Sequence, residues 1–182
     1  MTTHFCEAGF SAEGALAFMK RHHITNFAAA PTAYRLMKAS GLFDDAHETL
    51  ELRAASSAGE PLNTEVVTWV EKSLGCPVMD HYGQTETGMT CNNHHALDHL
   101  KHVGAMGVPM PGYRLAILDA EYKELPAGEP GVLAVDIKNS PAHFFQGYTW
   151  QEKNPFVEGY YLTGDVVIRN EDGTFQFAGR DD

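Results

Sequence analysis

The segment at residues 80–88, DHYGQTETG, concentrates groups that could hold a nucleotide. Its threonine hydroxyls and loop amides could bind phosphate oxygens, and the Glu86 carboxylate could hold the magnesium that accompanies them. Tyr82 offers a flat aromatic face for a base. Residues 76–79 are predicted to form a short strand that gives way to a loop, and ligands of α/β proteins bind where such strands end. The alternative is an ordinary turn with Glu86 solvated.

The elements that would position this segment follow an α/β pattern. Ser11 and Asn63 are good helix N-caps, Pro31 suits a first helical turn, and Gly41 and Gly75 are typical helix ends. Strands and helices that alternate in this way predict a parallel sheet. The predicted order is a helix at 11–22, a strand at 24–30, a helix at 31–41, a strand at 52–56, a helix at 63–75 and the strand at 76–79.

After about residue 103 the pattern changes to short apolar runs separated by clusters of glycine and proline. Residues 170–173, NEDG, predict a tight turn between strands at 166–169 and 174–178. We therefore expect a small β-barrel or sheet here. Further strands are predicted at 115–118 and 132–137.

Composition restricts the class of protein. The chain has 182 residues, of which 43% are hydrophobic and 20% charged, as in soluble globular proteins. A net charge of −11 argues against nucleic acid or an anionic membrane as a partner. We expect a cytoplasmic location, because neither a signal peptide nor an apolar run of about 18 residues is evident. The odd number of cysteines, Cys6, Cys76 and Cys91, predicts a reducing compartment without a disulfide framework.

The sequence DHYGQTETG closely resembles the signature of the adenylate-forming enzymes, the superfamily of acyl-CoA synthetases, luciferases and peptide-synthetase adenylation domains. Residues 27–35, FAAAPTAYR, also resemble the medium-chain acyl-CoA synthetases. Three more segments are similar in type and order to motifs of the superfamily. They are AGEPL at 58–62, like the adenine-side loop, YLTGD at 161–165, like the ribose-binding motif, and FAGRDD at 177–182, like the start of the interdomain hinge.

The resemblance implies a fold and a domain organisation. Residues 1–102 would form the C-terminal part of the α/β AMP-binding subdomain, and residues 103–182 a small β-rich subdomain that ends at the interdomain hinge. Both would belong to the large N-terminal domain of an adenylate-forming enzyme. Asp182 would mark the hinge itself.

The resemblance also implies residue roles. Tyr82 would stack on adenine and Asp80 would face its amino group. Thr85 and Glu86 would be the catalytic residues, since Thr85 would hydrogen-bond the α-phosphate and Glu86 would ligate magnesium. Asp165 would take both ribose hydroxyls, a task that suits the two oxygens of a carboxylate. The implied nucleotide-binding residues are Gly59, Glu60, Pro61, Asp80, His81, Tyr82, Gly83, Gln84, Thr85, Asp165 and Arg180.

Several of these residues also have structural interpretations. Asp165 could be a turn residue, Arg180 a surface ion pair, and Tyr82 part of the core. Pro61 could merely start the helix at Asn63.

Two features bear on the substrate and on metals. Acetate-specific relatives carry tryptophan at the position of Gly83, so a glycine would leave room for a medium-chain or aromatic carboxylic acid. The alternative is that Gly83 serves only the backbone. A cluster of metal-ligating side chains matches no common zinc finger, so we favour a solvated polar loop over structural zinc. Its members are Cys91, His94, His95, His99 and His102.

The activity implied by the resemblance is that of an AMP-forming acyl-CoA synthetase, an acid–thiol ligase. Such an enzyme activates a carboxylic acid with Mg-ATP to an acyl-adenylate and transfers the acyl group to coenzyme A, so ATP or AMP, Mg²⁺ and coenzyme A are expected. The lysine-bearing phosphate loop and the C-terminal lysine domain of these enzymes have no counterpart here. We therefore expect a fragment that is inactive alone. Two alternatives stay open: a carrier-protein-dependent adenylation domain and a non-catalytic nucleotide-binding module.

Overall fold

The structure is a computed structural model that describes residues 2–4, 9–150 and 154–181. It divides into two compact units, Met1–Asp80 and His81–Asp182. The predicted hinge residue Asp182, and also Cys6, lie outside the described residues. The predicted subdomain boundary after residue 102 stays a prediction.

The first unit alternates helices and strands, as predicted. Strands β1 and β2 pair in parallel, and the Ala55 amide donates to the Pro77 carbonyl (2.9 Å) just before β3 begins. This arrangement confirms the parallel α/β sheet. The elements are α1 (Ala12–Arg21), β1 (Asn26–Ala29), α2 (Pro31–Ser40), a short 3-10 helix (Ala46–Glu48), β2 (Ala54–Ala58), α3 (Thr64–Leu74) and β3 (Val78–Gln84), which continues into the second unit.

The helix ends lie where the sequence predicts them. Ser11 Oγ accepts a hydrogen bond from the Gly14 amide (3.0 Å), and Asn63 Oδ1 accepts one from the Val66 amide (2.9 Å). Each contact satisfies one of the amides that a helix leaves unpaired at its start. Gly41 has φ 68° and Gly75 has φ 70°, left-handed conformations that glycine adopts without strain.

The core of the first unit lies between the helices and the sheet. Tyr34 of α2 is fully buried, and its hydroxyl donates to the Ser56 carbonyl of β2 (2.8 Å). Phe43 and Trp69 pack edge to face, with ring centroids 6.5 Å apart. The first contact holds α2 to β2, and the second holds α3 to the turn that follows α2.

The second unit is made of antiparallel strands. One group runs in the order β3-β4-β5, and the second forms a curled half-barrel sheet in the order β10-β9-β7-β6, with β8 beside β9. The β9–β10 hairpin around residues 170–173 is confirmed. The strands are β4 (Gly88–Asn92), β5 (Val108–Pro109), β6 (Leu115–Leu118), β7 (Pro130–Asp136), β8 (Phe156–Val157), β9 (Tyr160–Arg169) and β10 (Phe175–Arg180).

Strand β9 organises this unit, because β7, β8 and β10 all pair with it. From Tyr161 to Val167 every second residue is buried. Tyr161 and Val167 pack in a core with Leu133 of β7 and Phe175 of β10. Thr163 and Asp165 are the polar members of the same buried face.

The prediction that a loop begins after residue 79 is wrong. Strand β3 continues through Gln84 and pairs with β4, with Gln84 opposite Gly88. Only residues 85–87 form the turn. The polar composition of residues 80–84 concealed the strand, although Tyr82 packs against the apolar core of the second unit. Among the described residues, no helix has both the length and the apolar character needed to cross a bilayer.

Candidate functional site

The turn between β3 and β4 is closed by the side chain of Thr87. Thr87 Oγ1 accepts a hydrogen bond from the Gln84 amide (3.1 Å) and donates one to the Gly88 carbonyl (3.0 Å). The Tyr113 hydroxyl lies 2.5 Å from the Thr87 carbonyl oxygen, to which it donates. Thr85 is exposed at the tip, and the structure gives its hydroxyl no hydrogen-bond partner among the described residues. Thr87 and Tyr113 therefore fix the turn, while the Thr85 hydroxyl stays available to a ligand.

Gly83 lies where the β3–β4 pairing shifts register by one residue, a β-bulge. A Cβ at this position would lie 2.1 Å from the Gly88 carbonyl oxygen and 2.8 Å from Met89 Cα. Both atoms are backbone, so a side chain would force the strands apart. Glycine is thus explained by close backbone approach, which supports the alternative interpretation of this residue.

Asp165 stands at the centre of a hydrogen-bonded network. Its side chain is buried, with the residue 4% exposed. Oδ1 accepts from Arg180 Nη1 (2.9 Å), and Oδ2 accepts from Gln84 Nε2 (2.8 Å) and from the Tyr82 hydroxyl. The structure therefore brings together four of the sequence-predicted residues, two on β3, one on β9 and one on β10. A charge this deeply buried is tolerated because several donors surround it.

Gln84 connects the two motifs more extensively than the sequence indicated. Its Nε2 also donates to the Thr163 carbonyl (2.9 Å), and its Oε1 accepts from the Tyr161 hydroxyl (3.3 Å). Sequence reasoning missed Tyr161 and Thr163. The signal was available, because residues 161, 163 and 165 share one face of a strand with period two.

Glu86 lies in the turn and is partly exposed. Its Oε1 accepts a hydrogen bond from the Tyr148 hydroxyl (2.7 Å).

Burial first, and then the charges of Glu86 and Asp165, raise the pKa of Tyr161, so both carboxylates act on the same phenol. Burial and the hydrogen bond to Asp165 raise the pKa of Tyr82. Both hydroxyls therefore stay protonated donors at neutral pH.

Residues 58–62, predicted to form the adenine-side loop, belong to the first unit. Gly59 has φ 90°, and Gly59, Glu60 and Pro61 are exposed. The Glu60 carboxylate accepts hydrogen bonds from Thr32 Oγ1 (2.7 Å) and Arg35 Nη2 (2.6 Å), and these contacts lower its pKa. Two of the recognised segments, at 27–35 and 58–62, are therefore in direct contact. Asp80 ends this unit, partly buried in β3.

The histidine-rich segment makes contacts within itself and to the β9–β10 turn. His99 Nε2 accepts from the His94 amide (2.9 Å), and His102 pairs with Asp172 (2.6 Å). His81 of β3 is partly buried, which lowers its pKa, and its Nε2 has no hydrogen-bond partner among the described residues. Across the described part of the chain, no three or more His, Cys, Asp or Glu side chains are grouped to hold a metal.

Comparisons with known proteins agree with this fold. The profile of the AMP-binding enzyme family matches residues 1–149, and the chain therefore belongs to that family. The 4-hydroxybutyrate–CoA ligase 1 of Metallosphaera sedula is 40% identical over 162 residues, which are 87% of this chain and 28% of the ligase. The mitochondrial acyl-coenzyme A synthetase ACSM3 of Rattus norvegicus is 34% identical over 179 residues, which are 95% of this chain and 30% of the synthetase.

Solved structures extend the agreement. The acyl-CoA synthetase of Brucella canis superposes with a TM-score of 0.90 at 49% identity, over 97% of this chain and 32% of that one. The ATP-bound MatB of Rhodopseudomonas palustris gives a TM-score of 0.81 at 30% identity, over 94% of this chain and 33% of that one. The predicted fold class and the resemblance to acyl-CoA synthetases are confirmed. The chain spans about a third of the length of these relatives.

Proposed function

We propose that this chain provides the ribose, base and metal contacts of an AMP-forming acyl-CoA synthetase. The observation that carries the proposal is the network around Asp165, since it joins two motifs that are 81 residues apart at Gln84 and Asp165. The interpretation of Asp165 as a turn residue does not account for a buried strand carboxylate with three donors. Arg180 does form an ion pair, and its partner is this carboxylate. A carboxylate held in one orientation is suited to bind a vicinal diol.

The donor set around Asp165 sets a condition for ribose binding. A carboxylate has about four acceptor positions, and three are used here. Two ribose hydroxyls therefore need one present contact to be released. The Arg180 side chain is 54% exposed, so its contact is the easiest to replace. Arg180 would then turn from Asp165 toward the ribose.

Glu86 and Thr85 suit the metal and phosphate roles. Magnesium is usually held by one or two carboxylates together with substrate phosphates and water. Glu86 offers one such carboxylate, whose Oε2 has no partner among the described residues. Bound Mg²⁺ would neutralise charge on the nucleotide phosphates. The exposed Thr85 hydroxyl would donate to the α-phosphate, and both residues act by positioning and charge stabilisation rather than as nucleophiles.

The acyl substrate and location belong to the same proposal. We propose a medium-chain or aromatic carboxylic acid and coenzyme A as reactants in the cytoplasm, without nucleic acid or membrane partners. The resemblance of residues 27–35 supports the choice of acid, and the net charge of −11 supports the absence of nucleic acid and anionic membrane partners. A benzoate CoA ligase and an anthranilate CoA ligase are among the similar structures. Gly83 adds no support, because the backbone already requires it.

A segment exchange tests the proposal. The corresponding third of the Brucella canis enzyme is replaced by this chain, and ATP–pyrophosphate exchange is measured with a series of carboxylic acids. We expect exchange in the chimera and a loss of at least about a hundredfold in Glu86→Gln and Asp165→Ala, since each removes a contact to the reacting nucleotide. Glu171→Gln, at an exposed turn residue, is the matched control.

The products separate the alternatives. Acyl-CoA formation supports the proposal, whereas exchange without acyl transfer to coenzyme A favours a carrier-protein-dependent adenylation domain. For the 182-residue chain alone we expect no turnover and weak AMP binding at most. Binding without exchange in the chimera favours a non-catalytic module, and normal exchange in Glu86→Gln overturns the metal role.

A further inference from the structure

Tyr148 contacts the Glu86 carboxylate from a part of the second unit that carries no recognised motif. The two residues are 62 positions apart, and the Tyr148 hydroxyl donates to Glu86 Oε1 at 2.7 Å. The structure gives the Glu86 carboxylate no other hydrogen bond or ion pair among the described residues. One oxygen is therefore engaged, and Oε2 keeps its acceptor positions.

The Tyr148 ring is itself held in place. Its centroid lies 5.0 Å from that of Phe145, at 64°, and 5.3 Å from that of Trp150, at 31°. The preceding Gly147 has φ 109°, a conformation that side-chain-bearing residues rarely adopt. Packing on the two rings restricts the Tyr148 side chain to a direction in which its hydroxyl reaches Glu86.

Glu86 needs such a restraint. It lies in a three-residue turn, and a glutamate side chain has three rotatable bonds, each with several staggered or broad states. The contacts that close the turn come from Thr87 and leave the Glu86 side chain untouched. A neutral hydroxyl can hold the carboxylate without adding positive charge that would compete with a cation.

We infer that Tyr148 is a positioning residue, which holds Glu86 so that Oε2 binds the divalent cation of a nucleotide phosphate. The inference rests on the proposed role of Glu86 as metal ligand. Without the hydroxyl, Glu86 would distribute over about three rotamers of its first side-chain torsion, and the competent one would fall to about a third. Cation affinity would then fall about threefold.

The test uses the 182-residue chain and Mn²⁺ alone as the probe. Mn²⁺ is titrated while NMR follows the broadening of the amide signals of Thr85, Thr87 and Gly88. We expect Tyr148→Phe to weaken the apparent affinity about threefold. Tyr122→Phe is the matched control, because Tyr122 is 39% exposed, Tyr148 is 37% exposed, and both lie in the second unit.

Glu86→Gln separates the two claims. If this variant abolishes broadening at the turn while Tyr148→Phe titrates like the unmodified chain, the positioning role is overturned and the metal role stands. If the unmodified chain shows no broadening there, or Glu86→Gln leaves it unchanged, the positioning role is overturned, and pyrophosphate exchange by Glu86→Gln in the chimera decides the metal role.

A second readout needs no cation. Three-bond couplings report the rotamers of Glu86, and we expect one dominant rotamer in the unmodified chain and averaging in Tyr148→Phe. If the couplings show that Glu86 already averages over several rotamers in the unmodified chain, the positioning role is overturned.

Discussion

At residue 83 a hydrogen atom occupies the place where any other amino acid carries a carbon, with the Gly88 carbonyl oxygen 2.1 Å from that Cβ position. Changing Gly83 to Ala should therefore destabilise the chain by about 1–3 kcal/mol, since two strand backbones must move apart. Urea unfolding measures the difference. Gly179→Ala is the control, because the same added carbon meets no atom within 4 Å there. Equal effects of the two changes would contradict the explanation.

Tyr82 shows a second requirement at the residue scale. Its hydroxyl donates to the buried Asp165 carboxylate, so Tyr82→Phe should cost about 1.5–3 kcal/mol of unfolding free energy. Combined with Asp165→Asn in a double-mutant cycle, the two changes should be non-additive, because they share one contact. Additive effects would mean that the hydroxyl and the carboxylate do not interact in solution.

The candidate site could be predicted from the sequence only in part. Asp165, Tyr82 and Gln84 were found through their motifs, and the structure brings them together. Tyr148 could not be found, because its contact to Glu86 depends on the path of the segment between β7 and β8. Gly83 was found as a residue, but its steric cause depends on the backbone of β4, which single-sequence patterns do not describe.

The start of α3 gives a prediction at the element scale. Asn63 caps this helix through a hydrogen bond to the Val66 amide. Asn63→Ala should lower the unfolding free energy by about 1 kcal/mol, because the amide loses its partner. Denaturant unfolding of Asn63→Asp, which keeps the accepting oxygen, should show a much smaller loss. A similar loss in both variants would contradict the capping role.

The segment between β7 and β8 carries a pH-sensitive group. His143 is 8% exposed beside the rings of Phe156 and Tyr161, and burial lowers its pKa below the ordinary value of 6.5. The unfolded chain therefore binds the proton more readily, so the contribution of His143 is present above about pH 6.5 and is lost as the pH falls below that value.

His143→Phe should reduce this pH dependence. We expect the loss of unfolding free energy between about pH 7.5 and about pH 5.5 to be smaller in the variant. A residual dependence should remain, because burial also lowers the pKa of His81 and of His94. Urea unfolding at both pH values provides the measurement, and an unchanged difference would exclude His143 as a contributor.

The elements themselves were largely predictable where local chemistry decides them. Pro31, the capping residue Asn63 and two left-handed glycines placed the ends of α2 and α3, and the NEDG turn placed the β9–β10 hairpin. Strand β3 was cut short in the prediction, because its second half is polar. That half is stabilised by pairing with β4 and by contacts to β9, which are long-range features.

At the scale of the whole chain, charge sets the conditions for ligand binding. Asp and Glu outnumber Lys and Arg by 24 to 13, so the net charge of −11 repels an anionic nucleotide. Any AMP binding by the chain should strengthen, by about twofold, when ionic strength rises from about 20 mM to about 200 mM. NMR titration at the two salt concentrations measures it. An affinity that falls with salt would indicate an attractive field instead.

The alternation along β9 limits how this chain can change in length. Tyr161, Thr163 and Asp165 face inward because they are two positions apart. Deleting one residue between Thr163 and Asp165 would turn the carboxylate outward and put a neighbour in its place. Residues 170–173 could instead absorb an insertion, since a turn has no face to preserve. Insertions or deletions that keep the Asp165 carboxylate facing inward should therefore occur in the turn and not inside β9.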